Sequence, residues 1–404
     1  MSGRRGGFPV LAASVLVFPL GALGNDRFSG AEAILGDLAK ITGLAVKRKV
    51  PADSMNRERL KVYLEERIRE AVKPEEIRAE EVTLKRFGFL PPEFDLKTAT
   101  IELLTEQAAA FYDFRKRRLF VLEHTSGPLE DSALVHELAH ALADQHFRLE
   151  KFIEGGGKSD DSSTARMAVM EGQASWLMAE YTARRSGGSL RDSPAVLEAL
   201  TNPGALGGEF PVFSKAPLYL RETLLFPYTR GTAFQHAVYL RLGPAAFAEV
   251  FRRPPATTQQ VLHPELYFER REPARPALPE APTRGWRELA AGTVGELDHA
   301  ILLRQYASAA EAARLAPEWR GGRYRVLESK GGATALLYAS EWATPETAGA
   351  FFAFYRRLLL GKWKAVTFEQ EEAHRLAGSG SGGPFVVEWN GLQVKAVEGV
   401  KTVK

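Results

Sequence analysis

The chain has 404 residues, 45% of them hydrophobic and 25% charged, with a formal net charge of +3 and no cysteine. That composition excludes a mostly disordered chain and gives enough length for two or three domains with real cores. Charges of both signs are interspersed, so there is no electrostatic footprint for nucleic acid, and the lack of thiols excludes disulfides and cysteine-held metals alike.

Arg4 and Arg5 precede an apolar run, 8–23, that is broken by Pro9 and Pro19. Ala22 and Gly24 then form a small-x-small step before Asn25, so residues 1–24 read as a secretory signal peptide. The expectation is an exported protein, periplasmic or extracellular, with an uncleaved N-terminal anchor as the alternative. Losing Arg4 and Arg5 with the leader takes the formal charge from +3 to +1. No later run is long and apolar enough to span a bilayer, and lipid attachment through an N-terminal cysteine is impossible, so no stable membrane span is expected after cleavage.

Residues 25–100 read as a helical region. Ala31–Thr42 and 57–72 carry apolar residues at helical spacing, Pro91 and Pro92 mark a loop, and Leu96–Gln107 is a further helix. The short apolar run 118–124 favours a strand; Gly127 and Pro128 break it, and a long helix follows to about Phe147. A polar loop, 154–163, leads to a second long helix, about 164–185, apolar over most of its circumference. Shorter helices are expected at 193–200, 231–242 and 245–251. Pro273, Pro276, Pro279 and Pro282 suggest a linker at 273–285.

Residues 286–404 read as a smaller α+β domain. Gly331-Gly332 and Asn390-Gly391 are hairpin signals, Thr344-Pro345 opens a helix to about Leu360, and Gly378–Gly383 suggests a flexible loop. The expected fold class is therefore α+β: a mostly helical domain, 101–272, with a small sheet, followed by the smaller domain.

The chemistry concentrates in His136-Glu137-Leu138-Ala139-His140. Residues four apart share a helix face, so the two imidazoles can bind one metal ion, and Glu137 projects beside it as a general base. The flanking Leu134, Val135, Leu138, Ala139 and Leu142 are apolar, and burying two histidines and a glutamate without partners is costly. With no cysteine present, a third ligand must be another His or a carboxylate. Glu171, set among apolar residues of the second long helix, and His146, six residues after His140, are the main candidates; Asp144 and Asp160 remain open. Tyr228 is a candidate oxyanion donor or an ordinary turn residue, and His236 a second donor or a packed helix residue. Ser175 and Asp144 are candidates for orienting a ligand. His124 ends the expected strand; His263, His299 and His374 read as structural or surface residues.

The HELAH helix, the later Glu171-Gly172-x-Ala174 and the preceding strand resemble the gluzincin branch of the zincin metallopeptidases, in particular bacterial peptidase-like proteins with an HExxH helix followed by an EGxA helix. Tyr228-Thr229-Arg230-Gly231 is similar to the Tyr-x-x-Gly element such proteins carry. The resemblance spans about residues 100–270. It implies a zincin-like fold, zinc as cofactor with His136, His140 and Glu171 as ligands, Glu137 as base, Tyr228 as oxyanion donor, and a peptide or protein substrate. The 118–124 strand is then expected to align that substrate by edge pairing. The alternative is a zincin-fold binding or assembly protein of the cell envelope without turnover.

Overall fold

Helices dominate the first two thirds of the chain in a computed structural model, which describes residues 30–123, 128–156, 159–202 and 210–400. The expected signal peptide and His124 lie outside these residues. Helix α1 (Ala31–Thr42) stops at Gly43, which takes the left-handed cap position with φ 71°. Strand β1 (Ala52–Met55), α2 (Arg57–Ala71), α3 (Pro74–Phe87) and α4 (Leu96–Gln107) follow. Asn56 caps α2 by accepting from the Arg59 N–H, and Asp95 caps α4 by accepting from the Thr98 N–H.

Strands β2 (Ala110–Asp113) and β3 (Arg118–Leu122) form a hairpin, and β1 pairs parallel to the other side of β3. The strand expected at 118–124 is thus the centre of a three-stranded sheet rather than an edge. β1 and β2 have four residues each, too few for alternation to show in the sequence.

Next come α5 (Pro128–Phe147), α6 (Leu149–Glu154), α7 (Asp160–Arg185), α8 (Pro194–Thr201), α9 (Pro211–Lys215), α10 (Leu218–Leu242), α11 (Ala246–Arg252), α12 (Thr258–Leu262) and α13 (Pro264–Phe268). Helix α7 starts earlier than its apolar spacing suggests. The Ser159 hydroxyl accepts from the Ser162 N–H, and Asp160 and Asp161 in the first turn complement the helix dipole. Helix α10 begins at Leu218, well before the expected Gly231, and carries Pro227 in its interior. A mid-helix proline costs about 3 kcal/mol, so local sequence argues for a break there, and the packing described below overrides it.

The remainder comprises β4 (Arg287–Thr293), α14 (Glu296–Tyr306), α15 (Ala309–Leu315), β5 (Trp319–Glu328), β6 (Thr334–Trp342), α16 (Pro345–Lys362), β7 (Thr367–Glu372), β8 (Arg375–Gly380), β9 (Gly383–Asn390) and β10 (Gln393–Glu398). The strands form an antiparallel sheet in the order β4-β5-β6-β10-β9-β8-β7. Both expected hairpins are present, with Gly332 and Gly391 at positive φ, and the Thr344 side chain caps α16. The glycine run is different from expectation: Gly378 and Gly380 pair with Phe385 and Gly383 in the β8–β9 ladder. Those glycines serve close packing, because a Cβ at Gly378 would run into the Thr367 carbonyl oxygen and the Phe385 ring and one at Gly380 would press on the Trp363 ring. The fold class is α+β.

One apolar cluster runs from Ala79 to Ala396, so the helical part and the sheet share a core. Phe87, at the end of α3, packs edge-on against Tyr324 and Tyr338 of the sheet. The Lys362 ammonium, 2% exposed, donates to both Glu398 oxygens at 2.8 Å and to the Arg86 carbonyl. The proline-rich stretch lies against β5 at its start, where the Ala274 N–H donates to the Arg320 carbonyl.

This junction also gathers carboxyl groups. Burial, reinforced by neighbouring acids, pushes Asp298 up to about 8 and Glu80 up to about 8; burial pushes Asp161 up to about 6. Each is raised, so the folded chain holds protons that the unfolded chain releases at lower pH. The stability these groups contribute is therefore expected to be fully present below about pH 4 and to be lost progressively as pH rises to about 8. Melting temperatures measured across that range should fall, and Asp298→Asn should flatten the fall. A melting temperature that rises over the same interval would contradict the enclosed-acid description.

Candidate metal centre

Helix α5 is apolar around most of its surface. Leu134, Val135, Leu138, Ala139 and Leu142 join Leu35 and Leu38 of α1 and Trp176 and Leu177 of α7 in one core. That packing turns the remaining face, with His136, Glu137 and His140, inward as well, and none of the three is more than 1% exposed. One ligand atom from each lies within 4.8 Å of the others, so this buried group can hold a metal ion.

Glu171 of α7, 1% exposed, faces the same point. His136 Nε2 and His140 Nε2 are 2.9 Å apart, and Glu171 Oε2 stands 3.1 Å from the first and 3.2 Å from the second. Three ligands of a tetrahedral ion, at bonds of about 2.0–2.1 Å, are separated by about 3.3 Å. The observed triangle is close to that size, and each of its atoms can offer a lone pair to a cation. Protons alone neutralise it poorly: two imidazole nitrogens in contact can share only one hydrogen between them.

The electrostatics agree. Burial pushes His136 down to about 4, so at neutral pH it is the uncharged imidazole that binds metals. Burial alone would raise Glu171, but His140 and the hydrogen bonds from both imidazoles hold it near about 2, as the carboxylate. Burial, then the Glu171 charge, pushes Glu137 well above its usual range. A divalent cation in the triangle would draw that carboxyl back down. Glu137 Oε2 accepts the Tyr112 backbone N–H at 2.7 Å, whereas Glu137 Oε1, Glu171 Oε1 and His136 Nδ1 are buried without a partner. The bare His136 Nδ1 departs from the usual metal-bound histidine, whose second nitrogen is paired.

Two glycines bring α10 against the helix that carries Glu171. A Cβ at Gly172 would lie less than 3.0 Å from the Gly231 backbone, and one at Gly231 would lie inside 3.0 Å of the Ala168 carbonyl oxygen. Helices α7 and α10 therefore touch backbone to backbone. That contact sets Tyr228, one turn before Gly231, beside the site, with its ring 6.1 Å from the His136 ring and tilted by 29°. Tyr228 is a mid-helix residue and not part of a turn.

The other sequence candidates lie elsewhere. His146 Nε2 meets the Ala45 carbonyl at 2.8 Å, on the far side of α5. Asp160 starts α7 and accepts from the Tyr324 hydroxyl. Asp144 touches neither imidazole; it accepts from Arg48, the Tyr112 hydroxyl and the Leu149 N–H. Ser175 is buried and makes no side-chain hydrogen bond among the described residues. His236 accepts from the Trp176 indole N–H. His263 pairs with Glu296 and His299 with Tyr338, and the exposed His374 ring lies 4.5 Å from the Trp389 ring, tilted by 50°. Sequence reasoning missed Tyr112, whose contribution is a backbone N–H that no residue type announces, and Phe114, packed edge-on to His140. β2 rather than β3 is the strand beside the site.

Residues 241–404 match a family described as a domain of unknown function, DUF8575. The match takes in the end of α10 and the whole C-terminal sheet, and includes none of His136, Glu137, His140, Glu171 or Tyr228. No curated protein and no solved structure matches the chain. Among the described residues no helix is long and apolar enough to cross a membrane.

Proposed function

We propose that the chain is an exported zinc-dependent metallopeptidase, with His136, His140 and Glu171 as the zinc ligands. The observation that carries this reading is the convergence of two imidazole nitrogens and one carboxylate oxygen within 3.2 Å, beside a second carboxylate with an unpaired buried oxygen. Three N/O ligands from one protein leave a tetrahedral position open, the pattern of catalytic rather than structural zinc. Bound there, zinc would polarise a carbonyl and lower the pKa of a water to about 7.

The protein's own groups then have clear tasks. Tyr112 holds Glu137 by Oε2, leaving Oε1 to take a proton from the attacking water and pass it to the leaving amine. Tyr228 donates to the oxyanion from beside His136. The substrate is a peptide or protein.

Enclosure favours a second reading. All four residues of the centre are at most 1% exposed, which also suits a zincin-fold binding or assembly protein that keeps the ion as a structural element. Metal analysis tests the ligand set common to both. Wild type should hold one zinc per chain, Glu171→Ala should weaken zinc binding by at least about a hundredfold, beyond the cost of losing an outer partner, and His146→Ala should match wild type. Glu171→Ala binding zinc as tightly as wild type would sink the proposal.

A further inference from the structure

We infer that Arg48, acting through Asp144 and Tyr112, positions Glu137, so that the segment 45–48 is a working part of the site. The inference rests on the reading of Glu137 as proton carrier.

Glu137 is held at one oxygen by a main-chain N–H, so its position is the position of β2. β2 is tied to β3 along one side. On its other side Tyr112 touches α5 twice: its N–H meets Glu137 at 2.7 Å, and its hydroxyl meets Asp144 Oδ2 at 3.2 Å, about two turns further along. Those two contacts set the register of the strand against the helix. The same ring packs edge-on against Phe114, which packs against His140.

Asp144 can serve as the second contact only while its buried charge is compensated. Its Oδ2 accepts from Arg48 Nη2 at 3.0 Å and its Oδ1 from the Leu149 N–H at 3.0 Å. Leaving that carboxylate without its cation is costly, and the side chain would turn toward water, releasing the Tyr112 hydroxyl. Arg48 is itself clamped by α5. Gln145 Oε1 accepts from the Lys47 and Arg48 N–H groups, Gln145 Nε2 donates to the Arg48 carbonyl, and His146 bonds the Ala45 carbonyl. Three successive residues after the HELAH turn thus grip one segment, and that segment returns one guanidinium toward the base. Arg48 touches no ligand atom of the metal centre, which makes it a positioning residue.

The test reads the Tyr112 N–H directly, by amide hydrogen exchange of the full exported chain. Glu137→Ala provides the benchmark, an acceleration of about tenfold for loss of one hydrogen bond. Arg48→Ala and Tyr112→Phe should accelerate the same amide to a similar degree, Arg48→Lys should recover most of the protection, and zinc content should stay at the wild-type value in all three. Against a peptide that wild type cleaves, Arg48→Ala should lower kcat and leave KM unchanged. Wild-type exchange at Tyr112 in Arg48→Ala, with faster exchange at Leu149, would overturn the inference and leave a purely structural clamp. Wild type devoid of zinc would overturn the metallopeptidase reading instead, and that failure shows in metal content, not in exchange.

Discussion

Glu137→Gln is expected to retain zinc and to lose about a thousandfold in kcat, in the middle of the range that general acid–base catalysis contributes. The substitution changes little else. The glutamine side-chain oxygen can still accept from the Tyr112 N–H, so β2 keeps its place on α5. None of the three converging ligand atoms is touched. What disappears is a group that can take and return a proton at the buried, unpaired oxygen. Stability should change little, because the glutamine keeps the Tyr112 hydrogen bond and the shape of the side chain, and an amide carries no charge to desolvate. Zinc analysis, melting temperature and turnover of one peptide substrate together check this. A Glu137→Gln protein with wild-type turnover would transfer the base to another group. A wild type with zinc but no turnover on any peptide tried would favour the binding protein.

The part of the site confined to one helix was legible in the sequence, and the part that depends on contact between helices was only partly so. His136 and His140 are one turn apart, and local geometry puts them on one face whatever the rest of the fold does. Glu171 stood out because a carboxylate among Val169, Met170, Ala174 and Trp176 needs a compensating group. Spacing alone left it in competition with His146, since the choice depends on how α7 packs on α5, and α7 is held in turn against α10 by the close contact of Gly172 with Gly231. The same contact explains why α10 runs through Pro227, which local propensity reads as a break. In the C-terminal sheet, turn chemistry gave both hairpins because a positive φ at Gly332 and Gly391 is a local requirement. The glycines of β8 misled for the converse reason: their smallness answers to Trp363 and Phe385, which lie on other elements. Tyr112 shows the limit of residue types as a guide, since its main chain does the holding.

Gly231→Ala carries the largest expected cost in stability, because the added methyl has nowhere to go. Its nearest neighbour is the Ala168 carbonyl, part of a helix backbone that cannot rotate aside as a side chain would. Overpacking a tight core usually costs about 1–3 kcal/mol, and a clash with the main chain of a packed helix belongs at or above the top of that range. Relief requires α10 to move off α7, and the movement would carry Tyr228 from His136 and disturb Glu171 beside Gly172. Zinc affinity should therefore fall together with melting temperature, although no ligand has been changed. Gly172→Ala should behave in the same way from the opposite side of the contact. Gly36→Ala is the control: Gly36 lies inside α1 with nothing within 4 Å of the new Cβ, and the change should raise stability by up to about 1 kcal/mol through helix propensity. If Gly231→Ala and Gly36→Ala shifted melting alike, the helices would not meet backbone to backbone, and the placement of Tyr228 beside His136 would lose its cause.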